Sequence, residues 1–187
     1  MEGRGGSAIP GAEESHFERD FLSSHNVYRK RHGAAPLQFN RDLCQSAQQW
    51  ADHLLSIRTL KHSSTEHGEN LYYKYSSNEP VDSWYNEINN YDFARPGFRS
   101  DTGHFTQVVW KDSKEVGVGV ATDGNGLFFV VGQYNPAGNI TNHGYFDKNV
   151  LPAGAAAFAY NQTDNITDQI TTQDLQTMEN GGRRKQG

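Results

Sequence analysis

Gly103-His104-Phe105-Thr106-Gln107-Val108-Val109-Trp110 is an apolar run with one ionisable side chain at its mouth. Phe105 to Trp110 is short and rich in valine and aromatic residues, and Gly103 punctuates its start. That pattern predicts a buried strand rather than a helix. His104 is then expected at a strand end, where side chains from other segments can meet it. An imidazole there can bind a metal, shuttle a proton or satisfy a buried acceptor, because its ordinary pKa lies near neutrality. The residues by themselves leave these roles open.

Upstream, Pro80 opens a helix at its first turn, with Val81, Trp84, Ile88 and Tyr91 as its apolar stripe. Glu87 stands three residues from Trp84 and four from Tyr91, which places a carboxylate beside the core-facing stripe, where a solvated acid is not expected. A loop carrying Pro96 leads on to His104. Downstream, Val116 to Ala121 and Leu127 to Tyr134 are rich in strand formers and flank Asp123-Gly124-Asn125-Gly126, the pattern of a hairpin. Gly117 and Gly119 lack the third glycine and the helix of a nucleotide loop, so they read as strand positions against which another element packs closely. The second strand exits into Asn135-Pro136-Ala137-Gly138-Asn139, a turn by composition.

Nearer the N-terminus, Phe17, Phe21, Leu22, Asn26 and Arg29 recur at helical spacing, with Gly33 as the stop. His25 and His32 lie on that helix and read as buried side chains bonded to neighbouring groups rather than as ligands. Asn40 caps a second helix running to about Arg58, striped by Leu43, Ala47, Trp50, Ala51, Leu54 and Leu55. Cys44 sits beside the stripe as a small core residue. Leu60-Lys61-His62-Ser63 then begins a Ser/Thr-rich loop, and His67-Gly68-Glu69-Asn70 leads into a short aromatic strand.

Composition narrows the function classes. A net charge of -5 and a pI near 5.9 give no basic field for nucleic acid. One cysteine excludes an internal disulfide and an intrachain thiolate zinc cluster, and points to a reducing compartment. The opening residues lack the apolar core of an export signal, and Glu2 interrupts a myristoylation start. Sequons at Asn139, Asn161 and Asn165 point the other way, towards the secretory lumen. Residues 1–15 read as a disordered arm, and 153–187 as a polar tail ending in Gly181-Gly182-Arg183-Arg184-Lys185.

Four stretches together resemble the CAP superfamily of cysteine-rich secretory, antigen 5 and pathogenesis-related proteins. They are His25-Asn26 to Gly33, Gly68-Glu69-Asn70, Gly103 to Trp110, and Gly132-Gln133-Tyr134-Asn135-Pro136-Ala137-Gly138-Asn139. They span a domain of residues 16–152. With Asn149-Val150-Leu151-Pro152 and no disulfide set, the chain is most similar to the Golgi-associated branch, which is intracellular and membrane-associated. The resemblance implies an α+β fold, a three-layer α-β-α sandwich with a central, mainly antiparallel sheet. It implies a cleft where His62 and His104 bind a divalent metal such as zinc, not required for folding, beside the acids Glu69 and Glu87. Lipid or membrane-surface partners and a homodimer are within its range, on the cytoplasmic face of the Golgi or another membrane. No catalytic residue follows from it. His67, where the family carries a cysteine, is expected to be an exposed loop histidine.

Three readings follow. The first is a non-catalytic binding and scaffolding module with a two-imidazole, one-carboxylate metal site. In the second the four residues are a structural cluster whose paired charges compensate one another's burial. The third is a zinc-dependent hydrolase with Glu69 or Glu87 as base. An extracellular defence or sterol-binding protein is the alternative to the intracellular assignment.

Overall fold

The computed structural model describes residues 14–74 and 79–154. Apart from Glu14, Ser15, Ala153 and Gly154, the expected arm and tail lie outside the described residues. Helix α1, His16–Arg31, opens on a capping box in which Ser15 Oγ accepts from the Glu18 N–H and Glu18 accepts from the Ser15 N–H. Strand β1, Gln38–Phe39, leads into α2, Arg41–Ile57, which Asn40 caps through the N–H groups of Asp42 and Leu43. Then come β2, Gly68–Lys74, and α3, Pro80–Tyr85, which tightens into a 3-10 turn over Asn86–Asn90. Helix α4, Gly103–Val108, precedes the hairpin β3, Glu115–Thr122, and β4, Phe128–Asn135; α5, Tyr145–Asn149, follows.

The four strands form one mixed sheet in the order β1-β3-β4-β2, with β1 parallel to β3 and the other pairs antiparallel. The period-2 alternation of strands divides the side chains between two cores. Leu71, Ala121, Phe129 and Val131 meet Ala47, Ala51 and Leu54 of α2 on one face. Tyr72, Val116, Val118, Val130 and Tyr134 meet Phe21, Trp84 and Phe105 on the other, beneath α1, α3 and α4. This is the expected α+β sandwich, with the sheet as its middle layer. Gly117 and Gly119 mark the closest approach of α2: a Cβ would stand 2.3 Å from the Cys44 backbone nitrogen or 2.4 Å from Gln48 Cα. That is the close-packed partner those strand glycines imply. No helix among the described residues is long and apolar enough to cross a membrane.

One central expectation is overturned. Gly103 to Val108 is a helical turn, not a strand, and the sheet is built from other segments. Phe105, Val108 and Val109 are buried at helical spacing, but Thr106 and Gln107 between them are buried as well. A helix buried all round reads as a continuous apolar run and imitates a strand by composition. Remote groups hold the turn. Glu87 Oε1 accepts from the N–H groups of His104 at 2.9 Å and Phe105 at 3.1 Å, satisfying two donors that a helix N-terminus leaves without partners. Asn139 Nδ2 donates to the Gly103 carbonyl at 2.9 Å, and Gln107 Oε1 accepts from the Gly138 N–H at 3.0 Å.

Candidate functional site

Glu87 follows α3, where the helix narrows, and its carboxylate is turned inward with its side chain only 4% exposed. Besides capping α4, it takes His104 Nδ1 on Oε2 at 2.7 Å. His104, 20% exposed, lies stacked on Trp84, with ring centroids 6.1 Å apart and planes within 10°. The carboxylate accepts, so Nδ1 donates; in the neutral ring that tautomer leaves the lone pair on Nε2.

The second histidine repeats the arrangement. His62 Nδ1 donates to Glu69 Oε1 at 2.8 Å; the His62 side chain is 65% exposed and that of Glu69 5%. Glu69 sits on β2 opposite Gln133 of β4, and Gln133 Nε2 donates to its Oε2 at 2.9 Å. The Ser63 N–H and hydroxyl supply two more bonds, at 2.9 and 2.6 Å. Burial by itself would raise the pKa of Glu69, but the donors from His62, Ser63 and Gln133 outweigh it and hold the carboxyl below the usual range.

The structure therefore places the four expected residues as two His–Glu pairs, His62 with Glu69 and His104 with Glu87. Among the described residues no group of three or more His, Cys, Asp and Glu side chains stands close enough to hold a metal ion. Asn70 ties the two pairs together. It follows Glu69 on β2 and points to the opposite face of the sheet, where its Nδ2 donates to the His104 carbonyl at 3.1 Å and to the Tyr134 hydroxyl at 3.4 Å. Behind it, the Tyr134 hydroxyl donates to His25 Nε2 at 2.6 Å, because His25 Nδ1 is already donating to the Phe21 carbonyl at 2.9 Å. His25 and His32 are thus satisfied core histidines, as the sequence implies.

Donor chemistry tests the expected metal. Each oxygen of Glu69 already accepts two bonds, whereas Glu87 accepts two on Oε1 and one on Oε2. The lone pairs of Glu69 are thus all engaged, and Glu87 Oε2 retains one. Each imidazole is bonded through Nδ1 to a carboxylate, which leaves its Nε2 outside that bond. His67 departs from its expected place as well. It is half-buried, and its Nδ1 is enclosed with no hydrogen-bond partner among the described groups. Reading the sequence residue by residue missed Ser63, Asn70 and Gln133. Only the β2–β4 register, which sets Glu69 against Gln133, reveals the last of these.

A family model described as "CAP: Cysteine-rich secretory protein family" matches residues 22–134. Golgi-associated plant pathogenesis-related protein 1 of Homo sapiens is 48% identical over 143 residues, 73% of this chain and 93% of that relative. Protein PRY2 of Saccharomyces cerevisiae is 39% identical over 138 residues, again 73% of this chain, which spans 41% of that protein's length. The solved structure of Schistosoma mansoni venom allergen-like protein 4 shares the fold, with a TM-score of 0.59 at 18% identity over 76% of this chain and 99% of that one.

Proposed function

The chain belongs to the CAP, or cysteine-rich secretory protein, family, and from that premise we propose a non-catalytic binding and scaffolding module whose His62 and His104 imidazoles take a divalent cation such as zinc. One observation carries the reading: each imidazole is anchored through Nδ1 to a buried carboxylate, the orientation that metal-binding histidines use. A bound ion would supply positive charge and coordination positions open to an anionic or carbonyl ligand. The chain's own residues hold the two rings in place. The same bonds weigh against Glu69 as the base of a hydrolase, since a carboxylate with its lone pairs occupied is poorly placed to take a proton from water.

Calorimetric titration with zinc at neutral pH tests this. Wild type is expected to give a saturable heat that His62→Ala/His104→Ala abolishes; equal heats from the two proteins would overturn the proposal. Glu87→Gln keeps an acceptor for the α4 N–H groups but loses the orienting partner of His104 Nδ1. Its zinc affinity is expected to fall by about 10- to 100-fold, with circular dichroism unchanged.

The human relative's name supports extending the proposal to association with the Golgi, and we propose that the surface engaged there is the cytoplasmic face of its membrane. With a net charge of -5 the chain has little to attract anionic lipid, so flotation with phosphoinositide vesicles is expected to be weak and removed by salt. Strong flotation that persists at high salt would contradict that expectation.

A further inference from the structure

Asp123-Gly124-Asn125-Gly126, the turn between β3 and β4, has no part in the metal reading. It holds two side chains whose terminal carbonyl carbon the next backbone nitrogen can attack, Asp123 before Gly124 and Asn125 before Gly126. A following glycine has no Cβ to hinder that approach. Tertiary structure separates the two positions. The Gly124 N–H donates to Thr122 Oγ1 at 3.1 Å, so the nitrogen next to Asp123 is engaged. Asp123 Oδ1 accepts from the Asn125 N–H at 2.8 Å and the Leu127 N–H at 3.2 Å, and Oδ2 from Arg58 at 3.4 Å. These bonds, the Asn125 N–H foremost, hold the Asp123 carboxyl below its usual range, and an ionised carboxylate resists nucleophiles. Asn125 differs on both counts. It is exposed, and its side chain is bonded to nothing among the described residues. The N–H groups of Asp123, Gly124, Asn125 and Leu127 all donate within the turn, whereas that of Gly126 has no acceptor among the described residues.

We propose that Asn125 is a site of spontaneous deamidation in the folded protein, and that Asp123 beside it is protected from the matching isomerisation. The Gly126 nitrogen bonds to Asn125 Cγ, and its proton passes to the side-chain nitrogen, which leaves as ammonia. A five-membered succinimide remains. Water opens that ring at one carbonyl to give aspartate, or at the other to give isoaspartate, whose main chain is longer by one methylene. No electrons are transferred: one amide and one water become a carboxylate and an ammonium ion. The product sets a second negative charge beside Asp123, in a turn whose N–H bonds at Asn125 and Leu127 depend on the original chain length. Lengthening the main chain breaks that spacing and loosens the end of the hairpin, where Thr122 pairs with Phe128. The turn thus carries an irreversible, time-dependent change at the edge of an otherwise closely packed sheet.

The test incubates the full chain, folded or in guanidinium chloride, at pH 7.4 and 8.4. The fragment carrying residues 123–130 is then followed by mass spectrometry with fragmentation that tells isoaspartate from aspartate. Asn180-Gly181, outside the described residues, is read in a separate fragment. Folded Asn125 is expected to convert within about tenfold of its rate in denaturant, because its nucleophile needs no opening of the structure. Conversion is expected to speed up about tenfold per pH unit, since the backbone nitrogen reacts deprotonated. Asp123 isomerisation is expected to fall by more than about tenfold on folding. Asn125→Gln, which would need a six-membered ring, is expected to stop the conversion. In converted protein the Leu127 amide is expected to exchange faster with solvent deuterium. Folding that protects Asn125 by more than about tenfold, or that leaves Asp123 isomerising as in denaturant, would overturn the proposal. Unchanged Leu127 exchange would overturn the loosening of the hairpin.

Discussion

Arg29→Met is expected to cost on the order of 3–5 kcal/mol of stability, the largest effect of any single substitution proposed for this fold. Arg29 lies on α1 with no solvent exposure. Its Nε donates to the Ala35 carbonyl at 2.8 Å, one terminal nitrogen to the Val108 and Trp110 carbonyls at 3.2 and 2.7 Å, and the other to the Ser113 carbonyl at 3.0 Å. The Val108 carbonyl belongs to the last residue of α4, the negative end of that turn, so the guanidinium caps the helix that carries His104. Methionine fills much of the volume and satisfies none of the four acceptors, of which the Trp110 carbonyl keeps the Ser113 N–H at 3.2 Å. Each buried carbonyl left without a donor costs about 1–3 kcal/mol. Against a total stability of about 5–15 kcal/mol, that loss lowers the urea midpoint by a large fraction. Arg29→Lys keeps the charge and part of the donor set, and is expected to fall between wild type and methionine. A change below about 1 kcal/mol for Arg29→Met would show that the four carbonyls find other partners.

The second large effect is acid destabilisation well above the carboxylate range. Burial depresses the His25 pKa from 6.5 to about 3, with Arg29 acting in the same direction and the Phe21 carbonyl opposing. Burial likewise lowers His32 from 6.5 to about 4, again against the bond to the Leu151 carbonyl and with help from Arg31. As pH falls below 6.5 the unfolded chain takes up protons at both histidines while the native protein does not, so stability must drop. The contribution is complete above pH 6.5 and is lost progressively down to the folded values near 3 and 4. Two pH units of differential titration at each site correspond to roughly 5 kcal/mol between pH 6.5 and 4.5. Urea denaturation at pH 7.5, 6.0 and 4.5 measures it. A midpoint that stays constant across that range would contradict the burial of two neutral imidazoles. His32→Asn should flatten the slope while costing stability at pH 7.5, since it gives up the Tyr85 hydroxyl bond and the Leu151 bond together.

Glu87 is conspicuous in the sequence because a carboxylate on an apolar stripe is out of place, and the structure explains it as the cap of α4 and the partner of His104. The pairing of His62 with Glu69 needs the loop after α2 to return to the start of β2, a closure that periodicity does not encode. The residues implied by the resemblance stand as two oriented pairs, and Asn70, the neighbour of Glu69 on β2, bonds the His104 carbonyl of the other pair.

From the sequence alone came α1 and α2 with the Asn40 cap, the β3–β4 hairpin, the close packing at Gly117 and Gly119, and the burial of Glu87, His25 and His32. All are written in local spacing, where each residue's neighbours three or four positions away, or two along a strand, decide its face. Tertiary structure alone decided that Gly103 to Val108 is helical and that each imidazole has its own carboxylate. In both cases the deciding bonds come from residues distant in the chain. Glu87, seventeen positions before His104, takes the N–H groups that would otherwise have needed a sheet. A fully buried run can satisfy its backbone as strand or as helix, and the element that supplies its partners makes the choice.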